Sequence, residues 1–222
     1  MSGHDGHAWV TPADTATGTT GRRITVTAPY YPAAVAFTPN GKTAYISSVG
    51  RNGPDAGIVT PVNVATGAKG ANIKVGPRPI YMAVTPNGKT LYVLNLNANT
   101  VTPINTATNT AGPDIKVGSG PSDIAIAPDG KTAYVVSDPL ASDGKGTVTP
   151  INTATNKAGP TIDLGGAPSS IAFVPDSTTM YVAHVGGCHT CLGAVLPINT
   201  ATGALGNPIR TGGIPDFIAV AP

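Results

Sequence analysis

The sequence predicts an all-β fold, a β-propeller of four-stranded antiparallel blades, because two tracts recur along it at a nearly constant period. The first tract reads Val-Thr-Pro-Ile-Asn-Thr-Ala-Thr at residues 101–108, and its five similar copies carry their prolines at Pro12, Pro61, Pro103, Pro150 and Pro197. The second reads Pro-Asp-Gly-Lys-Thr-Ala-Tyr-Val at residues 128–135, and its prolines lie 47, 42 and 47 residues apart, at Pro39, Pro86, Pro128 and Pro175. Such a period indicates an array of one supersecondary unit whose faces are buried by neighbouring copies.

The composition agrees with this fold class. The 222 residues include no Glu and no Gln, whereas Gly (28) and Pro (22) are abundant, so strong helix formers are scarce and turn formers plentiful. A chain of this length buries roughly 70 % of its unfolded surface, which provides an apolar interior without metals or disulfides. The formal net charge is only +2. Because the turn lysines are spread along the repeats rather than clustered, we expect no nucleic-acid partner.

One unit illustrates the four strands. Residues 127–131 form a turn in which Pro presets φ, Asp bonds back to the backbone and Gly accepts a positive φ. Residues 152–156 form a second turn. The strands around these turns are predicted at residues 124–126, 132–137, 146–151 and 161–164. Four antiparallel strands per ~45 residues, repeated around an axis, form the blade of a propeller.

Three aligned positions refine this prediction. The first strand carries alanine between large apolar residues in every copy, which suits a strand packed on both faces, at Ala36, Ala83, Ala125, Ala172 and Ala219. The turn after the third strand ends in a residue that tolerates a left-handed backbone, at Gly18, Gly67, Asn109, Asn156 and Gly203. The third strand contains a proline, which predicts a bulge or a break in pairing at Pro61, Pro103, Pro150 and Pro197. Ser177 replaces the turn glycine once, at a cost of about 1 kcal/mol if the left-handed conformation is kept.

The two alternating segments carry a family resemblance. Pro-Asp-Gly-Lys-x-x-Tyr-Val at residues 128–135 and Val-x-x-Ile-x-Thr-Ala-Thr at residues 101–108 resemble the YVTN-type β-propeller repeat of bacterial and archaeal secreted and surface proteins. The resemblance covers essentially the whole chain. It implies a propeller, mostly of seven blades in that family, and a role in interactions or surface layers. The third-strand proline departs from the β-branched residue that the family usually has there.

The repeat copies divide the chain into four whole units and two partial ones. The partial copies cover residues 1–31 and 215–222, and the whole copies cover residues 32–78, 79–120, 121–167 and 168–214. The first partial copy supplies a third and a fourth strand at residues 8–13 and 22–26, and the last supplies a first strand at residues 217–221. Together they form a split blade without a second strand. Two accounts follow, an arc cut from a longer propeller with further blades or a ring with a defective blade, and the strand count favours the arc.

The variable loops mark one face of the array for binding. From the second-strand Tyr to the third-strand Pro the chain runs 16 residues in three units but 11 in the other, so a five-residue extension points to one face. Variable loops on a rigid scaffold are where binding usually occurs. The candidate binding residues on these loops and on the companion connections are Tyr30, Tyr31, Arg51, Arg78, Tyr81, Asp123, His184, His189 and Asp216. The alternative is that these residues only cover the strand ends.

Cys188-His189-Thr190-Cys191 permits three interpretations. A c-type haem site is excluded because Leu192 follows the second Cys, and a thioredoxin-like site is disfavoured without a strand–helix context. A local disulfide between Cys188 and Cys191 is favoured in an exported protein. Zinc held by these cysteines with His184 and His189, or two free thiols, are the alternatives.

Two functional hypotheses remain. The first is a secreted or cell-surface scaffold that binds a protein or glycan partner through the face with the extended loops. The second is a metal-assisted, lactonase-like hydrolase or lyase at the axial opening, for which Asp123, Asp216, His184 and Arg78 are available. No nucleophile elbow occurs, so we assign no catalytic residue, no metal site and no cofactor. No segment approaches the ~18 apolar residues of a membrane span, and we expect an extracellular location without membrane insertion.

Overall fold

The computed structural model describes residues 8–26, 30–50, 57–138, 146–176, 178–186 and 193–220. These residues form five antiparallel sheets, and their helical content is a single 3₁₀ turn at Leu96–Ala98. Ser177, which the sequence marks as a costly turn residue, lies outside the described residues. The all-β prediction is confirmed.

Each whole repeat copy folds into one sheet whose strands follow each other in chain order. A hairpin of β1 (Ala8–Val10) and β2 (Ile24–Val26) precedes them. Unit 1 contains β3 (Tyr30–Phe37), β4 (Thr43–Gly50), β5 (Gly57–Asn63) and β6 (Ile73–Val75). Unit 2 contains β7 (Pro79–Val84), β8 (Thr90–Asn95), β9 (Thr100–Asn105), β10 (Thr110–Ala111) and β11 (Ile115–Lys116).

The remaining strands form two further sheets of the same design. Unit 3 contains β12 (Pro121–Ile126), β13 (Thr132–Ser137), β14 (Thr147–Asn152), β15 (Lys157–Ala158) and β16 (Ile162–Asp163). Unit 4 contains β17 (Gly166–Phe173), β18 (Thr179–Gly186), β19 (Gly193–Asn199) and β20 (Ile209–Arg210). The second strand of unit 3 has the predicted bounds. Its first strand begins three residues earlier than predicted and includes a register shift between Pro121 and Asp123.

The turn after each third strand has the predicted left-handed residue. Asn109 and Asn156 both have φ of 54°, and Gly18, Gly67 and Gly203 also have positive φ. A side-chain oxygen at the start of the turn accepts the following backbone N–H groups. Asn105 Oδ1, for example, accepts from the N–H of Ala107 at 2.9 Å and from that of Thr108 at 3.2 Å. At the turn, these side-chain bonds take the place of the backbone hydrogen bonds between strands. The prediction of a left-handed residue at these five positions is confirmed.

The third-strand prolines interrupt pairing on one side only. Toward the second strand the register continues through the proline, as in Tyr92↔Pro103. On the outer side the fourth strand is split, so that β9 pairs with β10 and β11 but leaves Pro103 between them. The predicted break is therefore confirmed on the outer side, without a bulge on the inner side. Because proline has no N–H, it contributes to the outer edge only through its carbonyl.

A glycine nine residues after each proline fills this outer gap. The N–H of Gly112 donates to the Pro103 carbonyl at 2.7 Å, and the pairs Pro12–Gly21, Pro61–Gly70, Pro150–Gly159 and Pro197–Gly206 repeat this bond. A methyl group on Gly70 would lie 2.9 Å from Pro61 Cγ. The proline ring therefore occupies the space that any larger residue at the glycine would need.

Three apolar cores join consecutive units. In each core the second-strand tyrosine of one unit belongs to a cluster that includes five positions of the next unit, two on its first strand, two on its second and one on its third. We call these five positions the tyrosine socket. Tyr45 enters the socket of Met82, Val84, Leu91, Val93 and Ile104. Tyr92 enters that of Ile124, Ile126, Ala133, Val135 and Ile151, and Tyr134 enters that of Ile171, Phe173, Met180, Val182 and Ile198.

The tyrosine hydroxyl also crosses to the next unit. Tyr45 donates to Asn109 Oδ1 at 2.8 Å, and Tyr92 donates to Asn156 Oδ1 at 2.6 Å. Where glycine occupies this turn position in unit 4, Tyr134 donates to the Thr200 carbonyl at 3.2 Å. Burial raises the pKa of Tyr92 to about 12. The fold therefore favours the neutral phenol, and this contribution to stability is full below pH 10 and is lost as the pH rises toward about 12.

Over the described residues, the two ends of the array do not share a sheet. The hairpin packs Val10 and Ile24 against Ala44, Ile46 and Val62 of unit 1. At the other end, residues 211–220 run beside unit 4, where Ser169 Oγ donates to the Pro215 carbonyl at 2.8 Å. The predicted first strand at residues 217–221 belongs to no sheet over its described part.

The Pro61–Gly70 pair is testable by a double-mutant cycle. We expect Gly70→Ala to lower the free energy of unfolding by about 1–2 kcal/mol, because the new methyl group overpacks against Pro61 Cγ. In a Pro61→Ala background the same change is expected to cost less than about 0.5 kcal/mol, since the ring is gone. Urea denaturation of the four proteins measures both values. An equal cost in both backgrounds contradicts the pairing.

The crossing hydroxyl is testable by removing a single oxygen. Tyr92→Phe is expected to lower the free energy of unfolding by about 1 kcal/mol, because Asn156 Oδ1 loses its donor. Tyr181→Phe is the matched control, since the hydroxyl of Tyr181 has no hydrogen-bond partner in the described part of the chain. It is expected to change stability by less than about 0.5 kcal/mol. Equal losses in the two variants, measured by thermal and urea unfolding, would exclude a specific role for the hydroxyl.

Candidate functional site: the loop face

We call the end of the array where second strands end and first strands begin the loop face, and the opposite end the turn face. The extended loops leave from the loop face. Residues 51–56, 139–145 and 187–192 of these loops lie outside the described residues, and with them the predicted Arg51, His189, Cys188 and Cys191. The bases of the loops and the connections between units are described, and they define the candidate site.

The base of each extended loop is held against the connection that leads to the next unit. The third strand starts at Gly57 or Gly193, or directly after Gly146. A methyl group on these glycines would collide with the carbonyl oxygen of Gly76, Gly213 or Gly166, which lies in the connection or at its end. The N–H of Gly146 also donates to the Gly166 carbonyl at 2.8 Å. In the unit with the short loop, Asn99 with φ of 54° takes this position, and its Oδ1 accepts the Gly120 N–H at 2.9 Å. Loops and connections therefore form one continuous surface.

A row of buried polar side chains lies directly beneath this surface. The position three residues after the second-strand tyrosine is buried in all four units, at Ser48, Asn95, Ser137 and His184. Each of the four has a side-chain atom without a hydrogen-bond partner among the described residues, namely Ser48 Oγ, Asn95 Oδ1, Ser137 Oγ and His184 Nδ1. A buried polar atom without a partner is costly, so these four atoms are open to hydrogen bonds from water or a ligand.

Asn95 shows how this row is held in place. Its Nδ2 donates to Thr100 Oγ1 at 3.1 Å and to Thr102 Oγ1 at 2.8 Å. Thr102 Oγ1 donates in turn to Asp114 Oδ1 at 2.6 Å. A methyl group on Gly76, in the connection from unit 1, would lie 2.6 Å from the side chain of Asn95. The connection therefore packs directly on the polar row. The amide oxygen of Asn95 is the side-chain atom that has no hydrogen-bond partner among the described residues.

Asp123 is placed by the irregularity near the start of its strand. The register of β12 shifts between Pro121 and Asp123, which directs the carboxylate toward unit 4. Asp123 Oδ2 accepts the Ser170 hydroxyl at 3.0 Å and the Ile171 N–H at 3.1 Å, while Oδ1 accepts the Ile124 N–H at 2.8 Å. Burial raises the pKa of Asp123, and these hydrogen bonds oppose the rise. Oδ2 thus joins unit 3 to unit 4, while Oδ1 bonds within unit 3.

Arg78 adopts a backbone conformation that arginine rarely takes. It lies in the connection before β7 with φ of 53°, and its side chain is exposed. The next unit has Gly120, with φ of 64°, at the matching position. The two carbonyls make the same bond, because Arg78 accepts the Leu96 N–H at 3.0 Å and Gly120 accepts the Asp138 N–H at 2.9 Å. A left-handed conformation costs a non-glycine residue about 1 kcal/mol.

The other predicted binding residues are spread over several units. Tyr31 lies in β3 and packs against the apolar residues of unit 1, while the side chain of Tyr30 lies outside the described part. Tyr81 follows the register shift in β7 and is 38 % exposed. Asp216 is exposed in the segment beside unit 4. His184, which the sequence places in a loop, lies inside β18 opposite Ala194 and is buried.

Two features of the site escaped the sequence analysis. The polar row contains Ser, Asn, Ser and His, so it shows no residue pattern, although each lies three residues after the repeat tyrosine. The loop-base glycines recur at fixed positions, but only the structure shows the carbonyl they face.

Among the described residues, no three His, Cys, Asp or Glu side chains are grouped to hold a metal ion. Within the same residues, no helix has the length and hydrophobicity needed to cross a bilayer.

Two solved structures are similar to this chain. Hydrazine synthase of Kuenenia stuttgartiensis aligns with a TM-score of 0.72 and 27 % identity, over 82 % of this chain and 49 % of that chain. A functionally unknown protein from Desulfotomaculum acetoxidans DSM 771 aligns with a TM-score of 0.62 and 21 % identity, over 82 % of this chain and 56 % of that chain. The chain thus spans about half the length of these structures, and the likeness supports a propeller-like all-β fold. No protein-family model matches the chain, and no curated protein does.

The environment of Asp123 predicts a specific pH dependence. Because the pKa of Asp123 is raised above 3.8, the folded state holds more protons than the unfolded state between 3.8 and the raised value. In that interval the stability of the wild type is expected to fall as the pH rises, relative to Asp123→Asn, which has no titrating group there. Urea denaturation of both proteins across the acidic range measures the difference. A flat difference, or one that rises with pH, would contradict a buried carboxylate.

Proposed function

We propose that this chain is a β-propeller repeat scaffold of the YVTN type, secreted or displayed on a cell surface, that binds a protein or glycan partner through the loop face. One observation carries the proposal. The turn face closes with turns that satisfy their own polar groups, whereas beneath the loop face each of the four units has a buried polar atom without a hydrogen-bond partner among the described residues.

The turns between first and second strands show the self-contained character of the turn face. Thr38 Oγ1 donates to Asn40 Oδ1 at 2.7 Å and accepts the Thr43 N–H at 3.1 Å, while Asn40 Oδ1 accepts the Lys42 N–H at 3.0 Å. Residues 85–90 repeat the same bonds at nearly the same lengths. A surface of this kind offers few free donors or acceptors to a partner.

The loop face differs in the ways that a recognition surface requires. Its loops vary in length while the strands below keep their register, which is typical of binding surfaces on rigid scaffolds. Arg78 presents an exposed cation from a backbone conformation that glycine would adopt at lower cost. Such strain is concentrated at functional sites, and arginine pairs well with carboxylates and sugar hydroxyls. The exposed ring of Tyr81, three residues further along the chain, adds an aromatic surface of the type enriched at interfaces.

The metal-assisted hydrolase or lyase receives no comparable support. Both carboxylate oxygens of Asp123 already bond to unit 3 or unit 4, and Arg78, Asp123 and His184 lie in different units. The first structural neighbour is named for hydrazine synthesis, and the proposal does not extend that activity to this chain.

The role of Arg78 separates binding from folding. Arg78→Gly is expected to keep or raise the free energy of unfolding, by up to about 1 kcal/mol, because the left-handed strain is relieved. Binding is expected to weaken about tenfold or more, since a charged hydrogen-bond donor is lost. Wild type and variant are compared on a glycan array and on an array of extracellular proteins, with thermal unfolding measured in parallel.

Lys131→Ala is the matched control, because it removes a cation from the turn face, and the side chain of Lys131 is 83 % exposed. It is expected to change binding by less than about twofold. The proposal is wrong if neither array contains a ligand for the wild type, or if the two variants weaken binding equally.

A further inference from the structure

A cleft of about 500 Å³ lies where units 3 and 4 meet on the turn face. Unit 3 lines it with Tyr134, Pro150 and residues 160–162, and unit 4 lines it with the turn at residues 200–203. None of these described residues is charged. The volume is in the range of small-molecule sites, and the lining favours a neutral ligand.

The turn of unit 4 lacks the side chain that occupies the matching place in units 2 and 3. Asn109 and Asn156 accept the tyrosine hydroxyl of the preceding unit at 2.8 Å and 2.6 Å. Unit 4 has Gly203 at this position, so the carboxamide is missing. The cleft reaches both Gly203 and Tyr134. It therefore includes the space in which an asparagine carboxamide would lie.

The hydroxyl of Tyr134 has a weaker partner than its counterparts in units 1 and 2. It donates to the Thr200 carbonyl at 3.2 Å, whereas O–H···O bonds are usually about 2.7–2.8 Å long. The side chain of Tyr134 is only 5 % exposed, so a good acceptor is worth more to its hydroxyl than it would be in water. A ligand oxygen in the cleft can take the place of the asparagine Oδ1. The hydroxyl thus selects a ligand with a carbonyl group.

Ile162 shows a second consequence of the missing side chain. Its counterparts in the fourth strands of units 1 and 2, Ile73 and Ile115, are buried, whereas Ile162 is only partly buried. A methyl group on Gly203 would lie 3.2 Å from Ile162 Cδ1. Apolar surface of Ile162 therefore borders the space that the asparagine would fill. A methyl group next to the ligand carbonyl would cover this surface.

The rim of the cleft suits a sugar better than a peptide strand. Pro150 and Pro160 have no N–H groups, and the Pro150 carbonyl already accepts the Gly159 N–H at 2.8 Å. Pairing with an extended peptide backbone is therefore limited at this edge. The proline rings offer apolar surface to the C–H face of a sugar ring, and the exposed Thr161 offers a hydroxyl to its hydroxyl groups.

We propose that this cleft binds an N-acetylated sugar. Its acetamido carbonyl would accept the Tyr134 hydroxyl, and its acetamido methyl group would pack on Ile162. An acetamido group contains the same carbonyl and N–H as the asparagine carboxamide of units 2 and 3. The cleft is separate from the loop face, and it adjoins a turn between third and fourth strands rather than the self-contained turns between first and second strands.

A pair of disaccharides tests the ligand class. The probe is the β-1,4-linked disaccharide of N-acetylglucosamine, titrated into the whole chain and followed by isothermal titration calorimetry. We expect saturable binding. Cellobiose is the matched control ligand, because it has the same linkage and a hydroxyl in place of each acetamido group. It is expected to bind at least about tenfold more weakly, since it supplies neither the carbonyl nor the methyl group.

Substitutions in the chain locate the binding. Gly203→Asn is expected to weaken binding of the N-acetylated disaccharide about tenfold or more, because its carboxamide takes the Tyr134 hydroxyl, as in units 2 and 3. The φ of 71° at this position is one that asparagine tolerates. Gly18→Asn is the matched control, since Gly18 has the same turn position in the hairpin, φ of 69° and open space around it. It is expected to change binding by less than about twofold.

Tyr134→Phe separates the hydrogen bond from the fold. It is expected to weaken binding of the N-acetylated disaccharide severalfold without affecting cellobiose, and thermal unfolding of every variant shows that the chain remains folded. If Gly203→Asn does not fold, the comparison with Tyr134→Phe decides the question.

The proposal is overturned if the N-acetylated disaccharide does not saturate, or if cellobiose binds equally well. Equal binding by the wild type and a folded Gly203→Asn, or equal losses in Gly203→Asn and Gly18→Asn, would also overturn it. The tripeptide Gly-Asn-Gly covers the competing occupant. If it binds as tightly as the disaccharide and Gly203→Asn abolishes that binding, the cleft accepts a protein carboxamide and the proposal is wrong.

Discussion

The insertion of one tyrosine from each unit into the next is the interaction on which this architecture depends. A single sheet of four short strands has two apolar faces and cannot cover both by itself. The tyrosine covers five apolar positions of its neighbour, and its hydroxyl reaches a turn that the same neighbour provides, as in the bond from Tyr92 to Asn156. Apolar burial and a polar bond thus act at one place, which fixes both the distance and the register between units.

The outer edge of each sheet follows a different constraint. Proline in the third strand removes a donor where a full fourth strand would pair, and the fourth strand accordingly splits around Pro103 and Pro150. The glycine opposite the proline supplies an N–H and leaves room for the ring. A short, interrupted outer strand offers a poor template for unwanted pairing. The extensive packing contacts therefore lie between units rather than at the outer edge of each sheet.

Much of this arrangement could be predicted from the sequence. The repeated tracts predicted the second strand of unit 3 with its observed bounds, the left-handed turn residues and a break at the prolines. The Pro–Gly pairs recur nine residues apart, but a spacing does not show that two residues face each other. The polar row beneath the loops could not be predicted. Ser48, Asn95 and His184 occupy the same repeat position, three residues after the second-strand tyrosine, but their side chains have different chemistry. His184 was expected in a loop because the sequence contains no signal for how far β18 extends.

The tyrosine socket predicts contacts that nuclear magnetic resonance can observe directly. With methyl-labelled isoleucine and valine, nuclear Overhauser effects from the Tyr92 ring should reach the methyl groups of Ile124, Val135 and Ile151, all of which belong to the next unit. Cross-peaks from the Tyr92 ring that stay within residues 79–116, its own unit, would contradict the tyrosine socket and with it the packing of every unit on its neighbour.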